Sequence, residues 1–369
     1  MSEFHVEVCA LTNVHRHPDP ETTSLSVGEV NGYPVVFRTG DYQEGDRVVH
    51  IPVDSICPVD DPRFDFLGKR NTIAPKRLRG VFSLGLIIPA DPSWEIGRDC
   101  QTDLRIERFD PDAYGDRGTR KGGLPGGSFK SGPKVSGPQI PVYDIEGFRK
   151  YQRVLEAGEE VQASEKLHGA NGRWIHDGER FHVGSRKEWK DQNDAADLWV
   201  RVAAKYDLAS KCAEIPGIAL YGEVHGQVQD LKYGAGPNEV RLALFDAHNT
   251  ATNTWLDVDD FLALCKRLDL PTVRTLYRGP WDPALVDLCE GPSTIDGANH
   301  TREGFVVRPV RERQHPRLGR VILKMVGQGY HLRADHRALK EAEPEIQAAI
   351  ARAQSTVERL TSPAPVLSC

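Results

Sequence analysis

The stretch SEKLHGANGRW, residues 164–174, sets one lysine between an acid and an apolar residue, then adds a histidine, two glycines and an asparagine. Taken alone, the tetrapeptide from Lys166 to Gly169 suits a surface lysine near a turn as well as it suits a nucleophile. The flanking sequence speaks for strands. ANGRWIH and ERFHVGS bracket Asp177-Gly178, a pair that supplies the positive φ of a hairpin turn. Further out, GIALYGEVHG, VRLALFDAH, REGFVVRPV and RVILKMV are four more strand candidates. Between them, the segment from Asn193 to Tyr206 puts Leu198, Val202 and Tyr206 on one helical face, and Val258, Phe261, Leu262, Cys265 and Leu268 repeat that pattern. The tail places Pro344 near a helix start, with Ile346, Ile350, Ala353, Val357 and Leu360 along one stripe.

The first hundred residues have another texture. Asn31-Gly32 precedes YPVVFRTG, Glu44-Gly45-Asp46 precedes RVVHIPVDSI, and RGVFSLGLIIP is rich in β-branched and aromatic residues. Short strands split by Gly, Asn and Pro turns predict a small β-barrel. Between about 110 and 140 runs DRGTRKGGLPGGSFKSGPKVSGP, too rich in glycine, proline and serine to build a core, which reads as a flexible linker.

At 369 residues the chain has room for two domains, each with its own core. No apolar run approaches the roughly 20 residues of a membrane span, and the N-terminus shows no secretory pattern. Seven scattered cysteines (Cys9, Cys57, Cys100, Cys212, Cys265, Cys289, Cys369) without a C-x-x-C pair suit free thiols in a reducing cytoplasm. The net charge of −6 excludes a globally basic polyanion binder, but local patches remain. Lys69, Arg70, Lys76, Arg77 and Arg79 form a run without acids, and a second basic region holds Arg117, Arg120, Lys121, Lys130 and Lys134. Each is either a solvated surface or a contact for a phosphate-rich partner.

Charges inside strands built for burial are the sharper signal. Glu223 interrupts ALYGEVHG, Glu303 precedes GFVVRPV, and Lys324 lies within VILKMV. A charge in such a place costs several kcal/mol unless paired or used. Together with Lys166 these residues are candidates for one site.

The ordered set EKLHG, GSRKEW, YGEVHG, LFDAH, EGFVVRP and ILKMV resembles the nucleotidyltransferase motifs of ATP-dependent RNA ligases of the phage type 2 kind. The region from HRHPDPETTSLSVGEVNGYPVVFRTG through RLRGVFSLGLIIP resembles the N-terminal OB module of Deinococcus-type RNA ligases. The resemblance implies an α+β chain: an OB-like β-barrel over 1–108, a linker over 109–140, an antiparallel-sheet nucleotidyltransferase domain unrelated to ATP-grasp over 141–335, and a helical tail over 336–369.

It also implies roles. Lys166 would attack the α-phosphate of ATP and become lysyl-AMP; AMP would pass to a 5′-phosphate end, which a 3′-hydroxyl then joins. Glu165 and Leu167 would frame adenine, Asn171 would contact the nucleotide, and Arg186, matching an arginine of the following strand, would touch phosphate and the incoming 5′ end. Glu223 would hold the ribose, Phe245 would stack on adenine, and Lys324 would meet the α-phosphate. Glu303 would organise Mg2+ or Mn2+, largely through waters. The partner would be RNA, or an RNA-containing duplex, broken between a 3′-OH and a 5′-phosphate; no membrane is involved. Lys69, Arg70, Lys76, Arg77 and Arg79 would bind it.

Two positions qualify the pattern. His168 stands where many polynucleotide ligases and capping enzymes have aspartate; histidine at that position is typical of type 2 RNA ligases. Ile322 stands where motif V often has a second lysine, so charge at the phosphates is reduced or comes from elsewhere. Two alternatives compete: a non-catalytic OB-type nucleic-acid binder, and a guanylyltransferase. About 45 residues follow Lys324, fewer than the roughly 50 of a small domain, so the C-terminal barrel of a guanylyltransferase is not expected.

Overall fold

The computed structural model describes residues 4–68, 71–109 and 135–362. Its contacts divide into two units. The first comprises Ser2–Tyr114 with His331–Glu343, and the second Gly115–Tyr330 with Pro344–Cys369 and Met1.

The first unit holds ten short strands. β1 (Glu7–Ala10), β5 (Arg47–Ile51) and β9 (Leu86–Pro89) form one antiparallel sheet. β2 (Thr12–Arg16), β3 (Leu25–Val30) and β4 (Tyr33–Arg38) form another. β6 (Ser55–Ile56) pairs with β10 (Glu107–Arg108), and β7 (Lys76–Leu78) with β8 (Val81–Ser83). Asn31 and Gly32, at φ 49° and 77°, make the two-residue turn between β3 and β4. The sheet β1–β5–β9 is buried on both faces. Val49 and Ile88 enter one cluster with Val8 and Phe64, while Val48 and Ile87 enter another with Leu11 and Phe37. That double burial is why RVVHI and LIIP read as continuous apolar runs.

The basic stretch in this unit does not form one face. Lys76 and Arg77 are successive strand residues and point to opposite sides. Lys76 is exposed and Arg77 half-buried, while Arg79 occupies the β7–β8 turn at φ 49°. Lys69 and Arg70 lie outside the described residues, as do Arg117, Arg120, Lys121, Lys130 and Lys134, with the greater part of the linker stretch.

The second unit is built on two sheets. Five strands run in the order β11 (Glu146–Gly147), β23 (Leu323–Val326), β20 (Gly304–Pro309), β12 (Glu160–Lys166), β19 (Thr275–Pro280). Six run in the order β15 (Trp189–Lys190), β14 (Phe181–Ser185), β13 (Ala170–His176), β16 (Ile218–Gly226), β17 (Val240–Asn249), β18 (Thr254–Trp255). A small hairpin pairs β21 (Gln314–His315) with β22 (Gly319–Arg320). α1 (Leu198–Lys205), α2 (Leu208–Ala213) and α3 (Val258–Arg267) cover one face of the six-stranded sheet, where Trp174, Leu220 and Leu244 meet Leu198, Cys212 and Phe261. One face of the five-stranded sheet is covered by the short helical turn Pro283–Cys289 and by Ala353, Val357 and Leu360. A third cluster (Tyr143, Ile175, Ala219, Tyr221, Ile322) draws residues from both sheets.

Most expected elements stand where the patterns put them, with displaced ends. α1 begins at Leu198 rather than Asn193, because the carboxylate of Asp197 accepts the N–H groups of Trp199 and Val200 as an N-cap. Within the expected linker, Val135 bridges to Trp189 and Ile140 packs on the mixed cluster. The last helix, α5 (His336–Thr361), starts eight residues before Pro344 and holds it in its interior, correcting the expected start. A missing N–H costs nothing at a helix start, which is why proline reads as one; here the Lys340 carbonyl forgoes its helical donor instead. The short α4 (Gln328–Leu332) precedes it. Among the described residues no helix is long and apolar enough to cross a membrane. Six free cysteines are buried, and Cys369 lies outside the described residues.

A buried polar network ties the two sheets. Asp246 on β17, fully buried, accepts from Tyr143 Oη (2.8 Å) and Arg308 Nη1 (3.1 Å) and forms an ion pair with Arg320 Nη2 at 2.7 Å. Glu312 accepts from the same two guanidiniums, at 2.9 and 2.5 Å. Removing Asp246 leaves two buried cations sharing one carboxylate, so Asp246→Ala should lose about 3–5 kcal/mol of stability in chemical denaturation. A loss below about 1 kcal/mol would show that the network relaxes without it.

Candidate functional site

Cross-strand register shows which side chains share a face. Asn171 pairs with Glu223, and Arg173 with Tyr221, on the inner face of the six-stranded sheet. Ser164 and Lys324 both oppose Val306 on the five-stranded sheet, and Lys166 lies two residues beyond Ser164 on the same side. Tyr221 and Val306 pack in the mixed cluster, so these two faces look at each other across it. The cleft between them gathers Lys166, Asn171, Glu223 and Lys324, separated by up to 158 positions in sequence.

Lys166 ends β12, and its ammonium donates to Glu303 Oε1 at 2.6 Å. Glu303 is buried, and its Oε2 accepts no hydrogen bond among the described residues. Two glycines allow the backbone to close here. A Cβ on Gly304 would lie 1.9 Å from the Met325 carbonyl, and one on Gly169 would lie 2.2 Å from that of Val224. The glycines after the histidine and after the acid are thus demanded by close approach.

The neighbours of the lysine are held hard. Glu165 is buried, and its two oxygens accept from Ser293 Oγ (2.6 Å) and from the Thr294 N–H and hydroxyl. Leu167 packs against Leu231, Tyr233, Ala243 and Tyr330. His168 has three partners. Its backbone N–H donates to the Tyr233 hydroxyl at 2.6 Å, Nε2 meets Asp230 Oδ1 at 2.6 Å, and Nδ1 meets the Tyr330 hydroxyl at 3.0 Å. A carboxylate only accepts, so Nε2 carries a proton, and in the neutral ring Nδ1 accepts from Tyr330. Burial, reinforced by the charges of Glu303, Glu165 and Glu223, pushes the Tyr233 phenol far above its ordinary pKa and keeps it protonated.

Phe245 reaches the cleft through a β-bulge. β16 and β17 shift register between Tyr221 and Gly222, which leaves Phe245 unpaired. Leu242, Leu244 and Ala247 face the helices, while Phe245 packs with its ring centroid 4.6 Å from that of Tyr143. The extra residue re-aims one aromatic without disturbing the helix-facing stripe. Arg186 lies in the turn just after β14, not within a strand as expected, and donates to Asp144 Oδ2 at 2.6 Å. Ile322 is buried in the mixed cluster, so its position belongs to the apolar floor.

Sequence reasoning missed Asp144, Asp230, Tyr233 and Tyr330. Asp144, Asp230 and Tyr233 come from connecting segments and Tyr330 from the short helix α4, too short to give a periodic signal, and only folding sets them against Arg186 and His168. Among the described residues no three His, Cys, Asp or Glu side chains converge to cage a metal. One carboxylate with a buried open oxygen, Glu303, instead suits a divalent cation that keeps most of its waters and takes the rest of its ligands from a substrate.

The fold and cleft define a two-domain protein with an N-terminal OB-fold domain and a nucleotidyltransferase-like α+β domain. Residues 159–326 match the RNA ligase family, and residues 8–90 match an OB-fold domain. In this chain a segment matching the RNA ligase family thus follows a segment matching an OB-fold domain. Its structure is similar to that of an RNA ligase of Naegleria gruberi. A variant solved with ATP and Mn superposes with a TM-score of 0.75 at 20% identity, covering 90% of this chain and 99% of that one. A form with PPi gives 0.76 at 20%, covering 91% and 99%. A variant with AMP and Mn gives 0.76 at 19%, covering 91% and 100%. At this identity the likeness is one of fold. No curated protein matches by sequence.

His225 links the site to pH. It stands edge-to-face to Tyr233 at 5.2 Å, and burial, with Arg241 adding to it, holds its pKa down to about 4. The unfolded imidazole takes a proton near pH 6.5, whereas the folded one resists until about pH 4, so stability falls as pH drops through that window. Wild-type protein should lose roughly 1–3 kcal/mol over this range beyond what His225→Phe loses. Parallel acid limbs in urea titrations of the two proteins would exclude His225 as the source.

Proposed function

We propose that this protein is an ATP-dependent RNA ligase working through a lysyl-AMP at Lys166, in the cytoplasm. The observation that carries the reading is the 2.6 Å contact between Lys166 and Glu303 in a polar cleft between two sheets. A nucleophilic lysine must be positioned and must shed a proton, and the Glu303 carboxylate is the acceptor beside it. The neutral Nζ attacks the α-phosphorus of ATP; a P–N bond forms, and the P–O bond to pyrophosphate breaks. An oxygen of a 5′-phosphate end then attacks the same phosphorus and releases the lysine. A 3′-hydroxyl finally attacks the activated 5′-phosphate and expels AMP.

The residues divide this work. Asn171 and Glu223 contact the nucleoside, Phe245 stacks on adenine, and Glu165 and Leu167 fix the backbone that frames it. Lys324 and Arg186 bind phosphate, Arg186 having its charge oriented by Asp144. A divalent cation, magnesium or manganese, bound through Glu303 would supply charge to the phosphates. Nucleotides and manganese in the similar solved structures support the choice of ATP and metal. The OB-fold domain, 1–108, carries the end-binding surface, with Lys76, Arg77 and Arg79 among its described cations. The break it holds lies in duplex RNA or an RNA-containing duplex. The joint placement of Lys166, Glu303 and Glu223 argues against a binding-only protein.

Incubation with magnesium and ATP labelled at the α-phosphate should leave acid-labile label on the wild-type chain, little with GTP, and none on Lys166→Ala. Label on that variant would sink the assignment, and no label on the wild type with either metal would favour binding alone. Lys76→Ala/Arg77→Ala should self-label normally yet bind nicked duplex more weakly, with a shallower salt dependence. Unchanged binding would return that strand to ordinary surface.

A further inference from the structure

Arg173 stands in the middle of β13, opposite both Gly184 and Tyr221 and two residues beyond Asn171. It is 4% exposed. The other cations around it are tied. Lys166 bonds Glu303, Arg186 bonds Asp144, and Arg308 and Arg320 share Asp246 and Glu312. Among the described residues no carboxylate pairs with Arg173, and its buried Nε finds no acceptor. It lies over Trp189, whose ring centre is 4.3 Å from the guanidinium carbon. Desolvation accordingly draws its pKa down.

Burying a guanidinium without a carboxylate is unfavourable, and stacking on an indole offsets only part of that cost. The chain thus keeps a destabilising cation on the inner face of its polar cleft. The surroundings share this character. The Nε of Arg186, two residues past Gly184, is also buried without an acceptor, and Oδ1 of Asn171 on the other side is buried without a donor among the described residues. Gly184 leaves room, since a Cβ there would lie 3.1 Å from Arg173 Nε.

We infer that Arg173 is an anion-binding residue of the cleft, which with Arg186 receives a phosphate group of the bound substrate. The planar fork of a guanidinium matches two phosphate oxygens, and stacking on Trp189 fixes its plane before the ligand arrives. This rests on the reading of the cleft as a nucleotide and RNA-end site. The phosphate has two sources there, the nucleotide itself or the 5′-phosphate of the RNA end.

The test measures binding of inorganic pyrophosphate and, separately, of a 5′-phosphorylated RNA oligonucleotide to full-length wild type, Arg173→Met and Arg173→Lys. Arg173→Met should melt at the same or a higher temperature, because an uncompensated charge has gone, and should lose about tenfold or more in affinity for one probe. Arg173→Lys should recover part of it. Loss for pyrophosphate assigns the nucleotide's phosphates, and loss for the oligonucleotide assigns the RNA end. Unchanged affinity of both variants for both probes would overturn the inference, as would failure of the wild type to bind either. A lowered melting temperature in both variants with full binding would make Arg173 a structural residue and overturn it too. Failure of Lys166 to take label from ATP is read separately and would sink the ligase reading without touching these affinities.

Discussion

The carboxylate of Asp246, with no exposure to solvent, holds together the two sheets that flank the polar cleft. It belongs to one sheet, while Arg308 belongs to the other and Arg320 to the adjoining hairpin. Such a network is costly to desolvate and valuable only when complete. Tyr143 and Glu312 complete it, and Arg320 also lies over the Trp255 ring at 4.2 Å. The mixed cluster beside it then has a fixed shape, on which Phe245 and Ile322 sit. The network consumes its own charges, so Arg308 and Arg320 are not available to phosphates.

The opposite condition holds inside the cleft. Asn171, Arg173, Arg186 and Glu303 each keep a buried polar atom without a protein partner among the described residues. Native interiors rarely tolerate this, because each such atom costs about 1–3 kcal/mol. Polar atoms satisfied within one network and unsatisfied in its neighbour mark the division between scaffold and site. His168 belongs on the satisfied side, its orientation set by Asp230, Tyr330 and Tyr233. The residue that carries the resemblance in sequence is thus fully hydrogen-bonded in the fold.

Much of this was legible in the sequence. Alternating and continuous apolar runs located the strands, and charges within them located Lys166, Glu223, Glu303 and Lys324. Motif order carried more than any one motif, since each alone suits a hairpin or an edge strand. What was not legible depended on contacts without local periodicity. Asp197 moved a helix start by capping, Pro344 fell inside a helix, and alternation along β7 split a basic run between two sides. Asp144 and Tyr330 are ordinary loop and helix residues until the chain folds.

By itself the sequence determined the two-domain α+β plan, the lysine and the acidic and basic residues that surround it, because buried strands expose every charge they contain as an anomaly. Only the tertiary structure decided which charges are spent on the scaffold and which remain for a ligand. Arg173, Arg308 and Arg320 look alike in sequence, each set in an apolar stretch. Pairing in space separates them: two meet carboxylates brought in from β17 and the loop after β20, and one lies over an indole ring with no carboxylate partner among the described residues.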